Sequence, residues 1–180
     1  MRIAEIEVGG YVPVIIWLNG SFGVGKTTMA ERLKRGRKDA AIYDPELIGS
    51  FLSRILPEKK DDFQDYELWR SLNYHILRHL SKGHKTIIVP MTITVPQYRE
   101  AIIGRLQGDG IEVKEIILTA SRETLKNRLD QRGNSTEWSY RQIDKCVSAF
   151  ASDGERQKID TDGRDIDEVA TQILNSLDRI

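Results

Sequence analysis

Residues Trp17–Leu33, WLNGSFGVGKTTMAERL, decide how the rest of the chain is read. Within them Gly20-Ser21-Phe22-Gly23-Val24-Gly25-Lys26-Thr27 fits G-x-x-x-x-G-K-[ST], the phosphate-binding loop. The glycines permit backbone angles that side chains forbid, so successive N–H groups turn inward as an anion cradle. The helix opening at Lys26-Thr27-Thr28 adds the partial positive charge of its N-terminus. Lys26 neutralises the outer phosphates, and the Thr27 hydroxyl is suited to Mg²⁺. The loop follows an apolar run, Val12–Leu18, and opens an amphipathic segment, which is the context the motif requires. The stretch therefore implies a bound nucleoside triphosphate.

Outward from the loop, short apolar runs alternate with longer helical segments across 180 residues. Strands are expected at Val12–Leu18, Ala40–Tyr43, Thr86–Val89, Val113–Leu118 and Gln157–Ile159. Helices are expected to start near Lys26, Glu46, Tyr66, Pro96, Ser121, Trp138 and Asp165. Asp44-Pro45 reads as an N-cap followed by proline in the first helical turn. Ser121 stands before another helix, and Gly83, Gly110 and Gly133 fall where helices should end. Strands alternating with helices imply a parallel sheet covered on both faces. The expected fold is a three-layer α/β, P-loop kinase-like domain spanning residues 1–180, with a five-stranded parallel sheet and a helical lid.

Composition narrows the partners. The 27 basic and 27 acidic side chains cancel, leaving no overall basic footprint for nucleic acid. The run Val12–Leu18 is too short to span a bilayer and lacks a signal-peptide cleavage pattern. A single cysteine, Cys146, cannot form an internal disulfide and suits a reducing cytoplasm; it is read as packed. His75, His79 and His84 form no metal-ligand pattern. No function is placed on residues 1–10.

Guanine-binding N-K-x-D is absent, and no D-x-x-G follows the third strand, which argues against a regulatory GTPase. A small phosphotransferase remains. The segments WLNGSFGVGKT, YDPELIG, DDFQDYELWRSLNY, IIVPMTI, IIGRL and ASRETLKNRL…QIDKCV together resemble the tunicamycin-resistance ATP-binding family, over roughly residues 14–175. That resemblance implies ATP as the nucleotide and resistance to a nucleoside antibiotic by phosphorylating it. Chloramphenicol phosphotransferase and shikimate kinase are more distant in layout. Two other readings stay open: drug sequestration without chemistry, and a metabolic nucleoside or nucleotide kinase.

Phosphoryl transfer needs an aligned acceptor, a cation clamp and a group to take the acceptor's proton. Asp44 falls just beyond the second strand, at the sheet edge where open parallel sheets bind ligands. In the kinases the chain resembles, an aspartate there contacts the acceptor hydroxyl, so Asp44 is expected to orient or deprotonate it, with Glu46 as a second acid. Arg128 and Arg132, four apart on one helix, share a face. With Arg141 they are expected in a lid over about residues 128–142 that closes on the phosphates, as in related kinases. The acceptor region is expected within residues 46–75, with Arg54 and Arg70 as contacts and Thr92 at the strand end. Phe63, Tyr66 and Trp69 supply rings, although Trp69 has core spacing. The run EKKDDFQD reads as a solvated loop. The apolar strand TIIV runs into Pro90-Met91-Thr92 without the acid that many P-loop enzymes carry there. Asp160–Gly163 are expected beside the nucleotide base.

Overall fold

The computed structural model describes residues 12–37, 39–133, 136–154 and 156–177. Residues 1–10 and positions 134 and 135 of the lid lie outside the described residues. Five parallel strands form one sheet: β1 Val14–Gly20, β2 Ala40–Ile42, β3 Thr86–Pro90, β4 Glu112–Thr119 and β5 Gln157–Asp160. Their spatial order is β2-β3-β1-β4-β5. The chain leaves β1 and β4 in opposite directions across the sheet, which opens a crevice beyond their carboxyl ends.

The helices are α1 Lys26–Gly36, α2 Pro45–Ile55, α3 Glu67–Leu80, α4 Pro96–Arg99, α5 Arg105–Gly108, α6 Arg122–Arg132, α7 Glu137–Ala151 and α8 Ile166–Leu177. Alternation along β1 divides the core. Ile16 and Leu18 pack with Met29, Leu33, Leu125 and Ile173 on one face. Ile15 and Trp17 pack with Trp69, Leu77, Ile102 and Leu106 on the other. The period of two places successive side chains on opposite faces, so both layers of helices are covered by one strand.

The residues after β3 brace the loop after β1. Trp17 Nε1 donates to the Met91 carbonyl at 2.9 Å, and the buried Asn19 amide donates to the Ile93 carbonyl at 2.9 Å. Asn19 Oδ1 accepts from the backbone N–H groups of Gly20 and Ile93. Thr92 Oγ1 donates to the Gly20 carbonyl at 2.7 Å. Buried polar groups satisfied this fully fix one geometry. The segment Pro90-Met91-Thr92 therefore holds the phosphate loop's entry strand in place.

Three local expectations are corrected. β1 runs two residues later than the apolar run suggested, because Asn19 and Gly20 continue the ladder to Ile117 and Leu118. The helix beginning at Pro96 is interrupted by a π-helical turn, Glu100–Gly104, where the Glu100 carboxylate fills the space of a Gly104 side chain. The run EKKDDFQD is not simply solvated: a 3₁₀ turn at Phe63–Asp65 is capped by Asp62, and Gln64 is buried. Gly110 and Gly133 take positive φ after their helices, whereas Gly83 does not.

Candidate active site

The phosphate loop joins β1 to α1. Gly25 caps α1 with φ 97°, and a side chain there would meet no protein atom within 4 Å. Gly23, at φ 82°, sits differently: an added Cβ would fall 2.7 Å from the Leu125 carbonyl oxygen of α6. Gly23→Ala is expected to cost roughly 2–4 kcal/mol, from the left-handed backbone and the backbone clash together. A denaturant melt checks this; a loss below about 0.5 kcal/mol would remove the close-approach argument.

Lys26 Nζ donates to the carbonyls of Gly20 at 3.1 Å and Ser21 at 3.0 Å. It shares a pocket of about 230 Å³ with Thr27, Glu46, Pro90 and Arg132. Burial lowers the Lys26 ammonium to about 8, against the opposing attraction of Glu46 and Cys146 and with the repulsion of Arg132. Glu46 is held above its ordinary value by desolvation and then by Asp44, while Lys26 and Arg132 pull it down. The pocket thus joins two cations, the hydroxyls of Thr27 and Ser139, and one carboxylate at the mouth of the cradle. Among the described residues no group of three His, Cys, Asp or Glu side chains could hold a metal alone. The donor set fits a divalent cation carried chiefly by phosphate oxygens and water, with the Thr27 hydroxyl completing its surroundings.

On the other flank, Gly23, Val24, Gly25 and Thr28 line a pocket with Arg128, Arg132, Thr161 and Arg164. Arg128 and Arg132 do share a face. Arg128 is engaged, however: it donates to the Val24 carbonyl at 3.3 Å, and to the Thr161 hydroxyl and carbonyl at 2.9 Å each. It pins the loop after β5 to the phosphate loop, while Arg132 alone of the pair reaches the Lys26 pocket.

Beyond Phe22 lies a cavity of about 510 Å³, lined by Asp61, Asp62, Thr92, Tyr98, Trp138 and Cys146 among others. Phe22 lines both this cavity and the Lys26 pocket, so the two are neighbours across one ring. The Trp138 ring meets Phe22 edge-on at 5.2 Å, and Lys26 Nζ stands 5.5 Å from the Phe22 centroid.

Several sequence-derived candidates fall elsewhere. Asp44 is the N-cap of α2, accepting from the Glu46 N–H at 2.9 Å; Glu46, not Asp44, lines the Lys26 pocket. Arg141 lines the cavity beyond Phe22 rather than the loop's nucleotide flank, and lies 4.0 Å from Glu137. Arg54 is exposed on the last turn of α2 and lines none of the three cavities above. Arg70 stacks over Tyr98 at 4.4 Å and donates to the Gln64 carbonyl, bracing the cavity wall. Thr92 lines the cavity while bonding the loop. Phe63 and Trp69 pack on each other at 5.4 Å, with Trp69 fully buried, so they are core. Asp62, Tyr98 and Trp138 were not legible as site residues. Asp62 lay in a charged run, and the other two were isolated aromatics.

Fold, loop and pockets define a P-loop nucleotide-binding protein of the kinase-like class. A family model described as AAA domain matches residues 15–152, and the chain belongs to that family. No curated protein matches the chain. Among solved structures, the tunicamycin resistance protein of Deinococcus radiodurans superposes with TM-score 0.78 at 27% identity, over 93% of this chain and 96% of that one. The APS kinase of Mycobacterium tuberculosis, solved with AMPPNP and APS, gives 0.68 at 17% identity, over 93% and 98%. The shikimate kinase of Bacteroides thetaiotaomicron gives 0.61 at 18% identity, over 91% and 98%. The resemblance to the tunicamycin-resistance family carried by the sequence motifs thus agrees with the structural comparison. No helix among the described residues is long and apolar enough to cross a membrane.

Proposed function

We propose that the protein is a Mg²⁺- and ATP-dependent phosphotransferase of the cytoplasm. It acts on a hydroxyl of a small molecule, with tunicamycin or a similar nucleoside antibiotic as acceptor and resistance as the outcome. The observation that carries the reading is the convergence of Lys26, Thr27, Glu46 and Arg132 on one pocket at the phosphate cradle. Lys26 and Arg132 supply positive charge where the transferred group spreads its negative charge. Bound Mg²⁺ would neutralise the phosphates, held through Thr27 and water.

Glu46 takes the acceptor hydroxyl's proton in this reading. Its carboxylate lines the Lys26 pocket, and burial together with the neighbouring Asp44 makes it a stronger proton acceptor than an ordinary carboxylate. Asp44 caps α2 behind it, fixing the turn from which Glu46 projects and adding the negative charge that favours a proton on Glu46. Arg128 is a positioning residue for the nucleotide-side loop. The likeness to the Deinococcus tunicamycin resistance protein supports the choice of acceptor.

Mass spectrometry of tunicamycin incubated with the protein, Mg²⁺ and ATP tests the reading. The expected product is heavier by one phosphoryl group and is absent with Lys26→Met. ATP-dependent binding of unmodified drug would favour sequestration instead. Phosphorylation of nucleosides or nucleotides but not of the drug would favour a metabolic kinase.

A further inference from the structure

The cavity beyond Phe22 carries five charged side chains: Asp61, Asp62, Asp65, Arg141 and Lys145. Their placement is unequal. Arg141, Lys145, Asp61 and Asp65 are exposed at the rim, whereas Asp62 is half-buried. Arg141 lies near Glu137, and Asp65 accepts from the Tyr98 hydroxyl at 2.7 Å. Asp62 is anchored through Oδ1, which accepts from the Gln64 N–H at 2.9 Å. Among the described residues its Oδ2 has only a 3.4 Å contact with the Gln64 amide. A half-buried carboxylate with acceptor capacity remaining wants an O–H or N–H partner and repels an anion.

Around that carboxylate stand the hydroxyls of Thr92 and Thr94 and the rings of Phe22, Tyr98 and Trp138. The volume, about 510 Å³, is that of a small-molecule site.

We propose that this cavity selects an uncharged or cationic acceptor bearing both hydroxyls and an unsaturated ring, and that Asp62 is its specificity-determining residue. Asp62 accepts a hydrogen bond from the acceptor's O–H or N–H, while the rings of Trp138 and Tyr98 give the acceptor's own ring an apolar surface. Anions are turned away by the withdrawn carboxylate, because the opposing cations sit at the solvated rim and are screened. Burial holds the Asp62 carboxyl above its ordinary range, while the hydrogen bond from the Gln64 N–H and, more weakly, Lys145 pull it back. The inference rests on the transferase reading only in naming the occupant an acceptor.

The test is calorimetric binding to the protein loaded with Mg²⁺ and AMPPNP. The probes are phenyl glucoside, phenyl glucosaminide and phenyl glucuronide: one skeleton that is neutral, cationic or anionic. The first two are expected to bind at least about tenfold more tightly than the glucuronide. Asp62→Asn keeps an oxygen for the Gln64 N–H and should weaken the neutral and cationic probes by about tenfold while narrowing the gap to the anion. Asp61→Asn, at the rim, should narrow it less. Glucuronide binding as tightly as the glucoside, no binding of any probe, or unchanged selectivity in a folded Asp62→Asn protein would each overturn the proposal. Transfer from ATP to tunicamycin is followed with the same preparation. Charge-ordered probe binding without transfer would sink the transferase reading and leave the cavity's selectivity standing.

Discussion

Replacing Lys26 with methionine is expected to weaken ATP binding about 100–1,000-fold, the loss of two or more charge-assisted contacts to phosphate. The same change should raise the melting temperature of the nucleotide-free protein. Burial brings the Lys26 ammonium from 10.5 to about 8, a disfavoured charge worth about 3 kcal/mol. The carbonyls of Gly20 and Ser21 recover part of that by accepting from Nζ. A methionine of similar length removes the charge, and a net gain of about 1–2 kcal/mol corresponds to roughly 2–8 °C in a chain of this size.

The pH dependence has a definite sign. Between about 8 and 10.5 the unfolded chain holds the Lys26 proton and the folded chain does not. Wild-type stability therefore rises with pH across that window through this group, and the variant's advantage fades over the same range. ATP needs the protonated form, so its affinity for the wild-type protein should bend downward above about pH 8, and the bend should vanish in Lys26→Met. Binding within threefold of wild type would end the phosphate-cradle assignment. A lower melting temperature would show that the carbonyl contacts outweigh the burial.

The sequence carried the sheet and the phosphate loop because both rest on local rules. The apolar run of β1 and the caps at Asp44 and Ser121 depend on neighbours a few residues away; the caps appear where their spacing placed them, and the strand lies within two residues of its expected place. The site beyond the loop depends on which way each helix points. Asp44 and Glu46 are two residues apart at one helix start; only the direction of α2 decides that Glu46 reaches the pocket while Asp44 turns back to cap. Arg128 and Arg132 share a face as their spacing required, yet Thr161, 33 residues away, captures Arg128. Arg141, in the second turn of α7, lies on the far side of Phe22, where the edge-on contact with Trp138 holds that helix against the loop. Long-range packing made these assignments, and no short window of sequence contains it.

The contrast between the two acids gives the other large effect. Glu46→Gln is expected to lower the rate of phosphoryl transfer by about 100–10,000-fold, the range for losing a positioned proton acceptor. ATP affinity near pH 7 should change little. The attraction of Glu46 supports the Lys26 proton, so the variant should lose ATP affinity at a lower pH than the wild type does. Asp44→Asn should behave differently, because asparagine still offers an oxygen to the Glu46 N–H and caps α2 nearly as well. Its main effect is to remove the charge that raises Glu46. The rate of the wild-type enzyme should rise with pH as Glu46 loses its proton. In Asp44→Asn that rise should shift to lower pH with its plateau within about tenfold of wild type. Single-turnover transfer measured across pH 4–9 separates the two roles. A collapse of the plateau in Asp44→Asn, with Glu46→Gln retaining transfer, would reverse them. Asp44 would then be the residue that meets the acceptor hydroxyl, and the turn of α2 would have to open when nucleotide and acceptor are both bound.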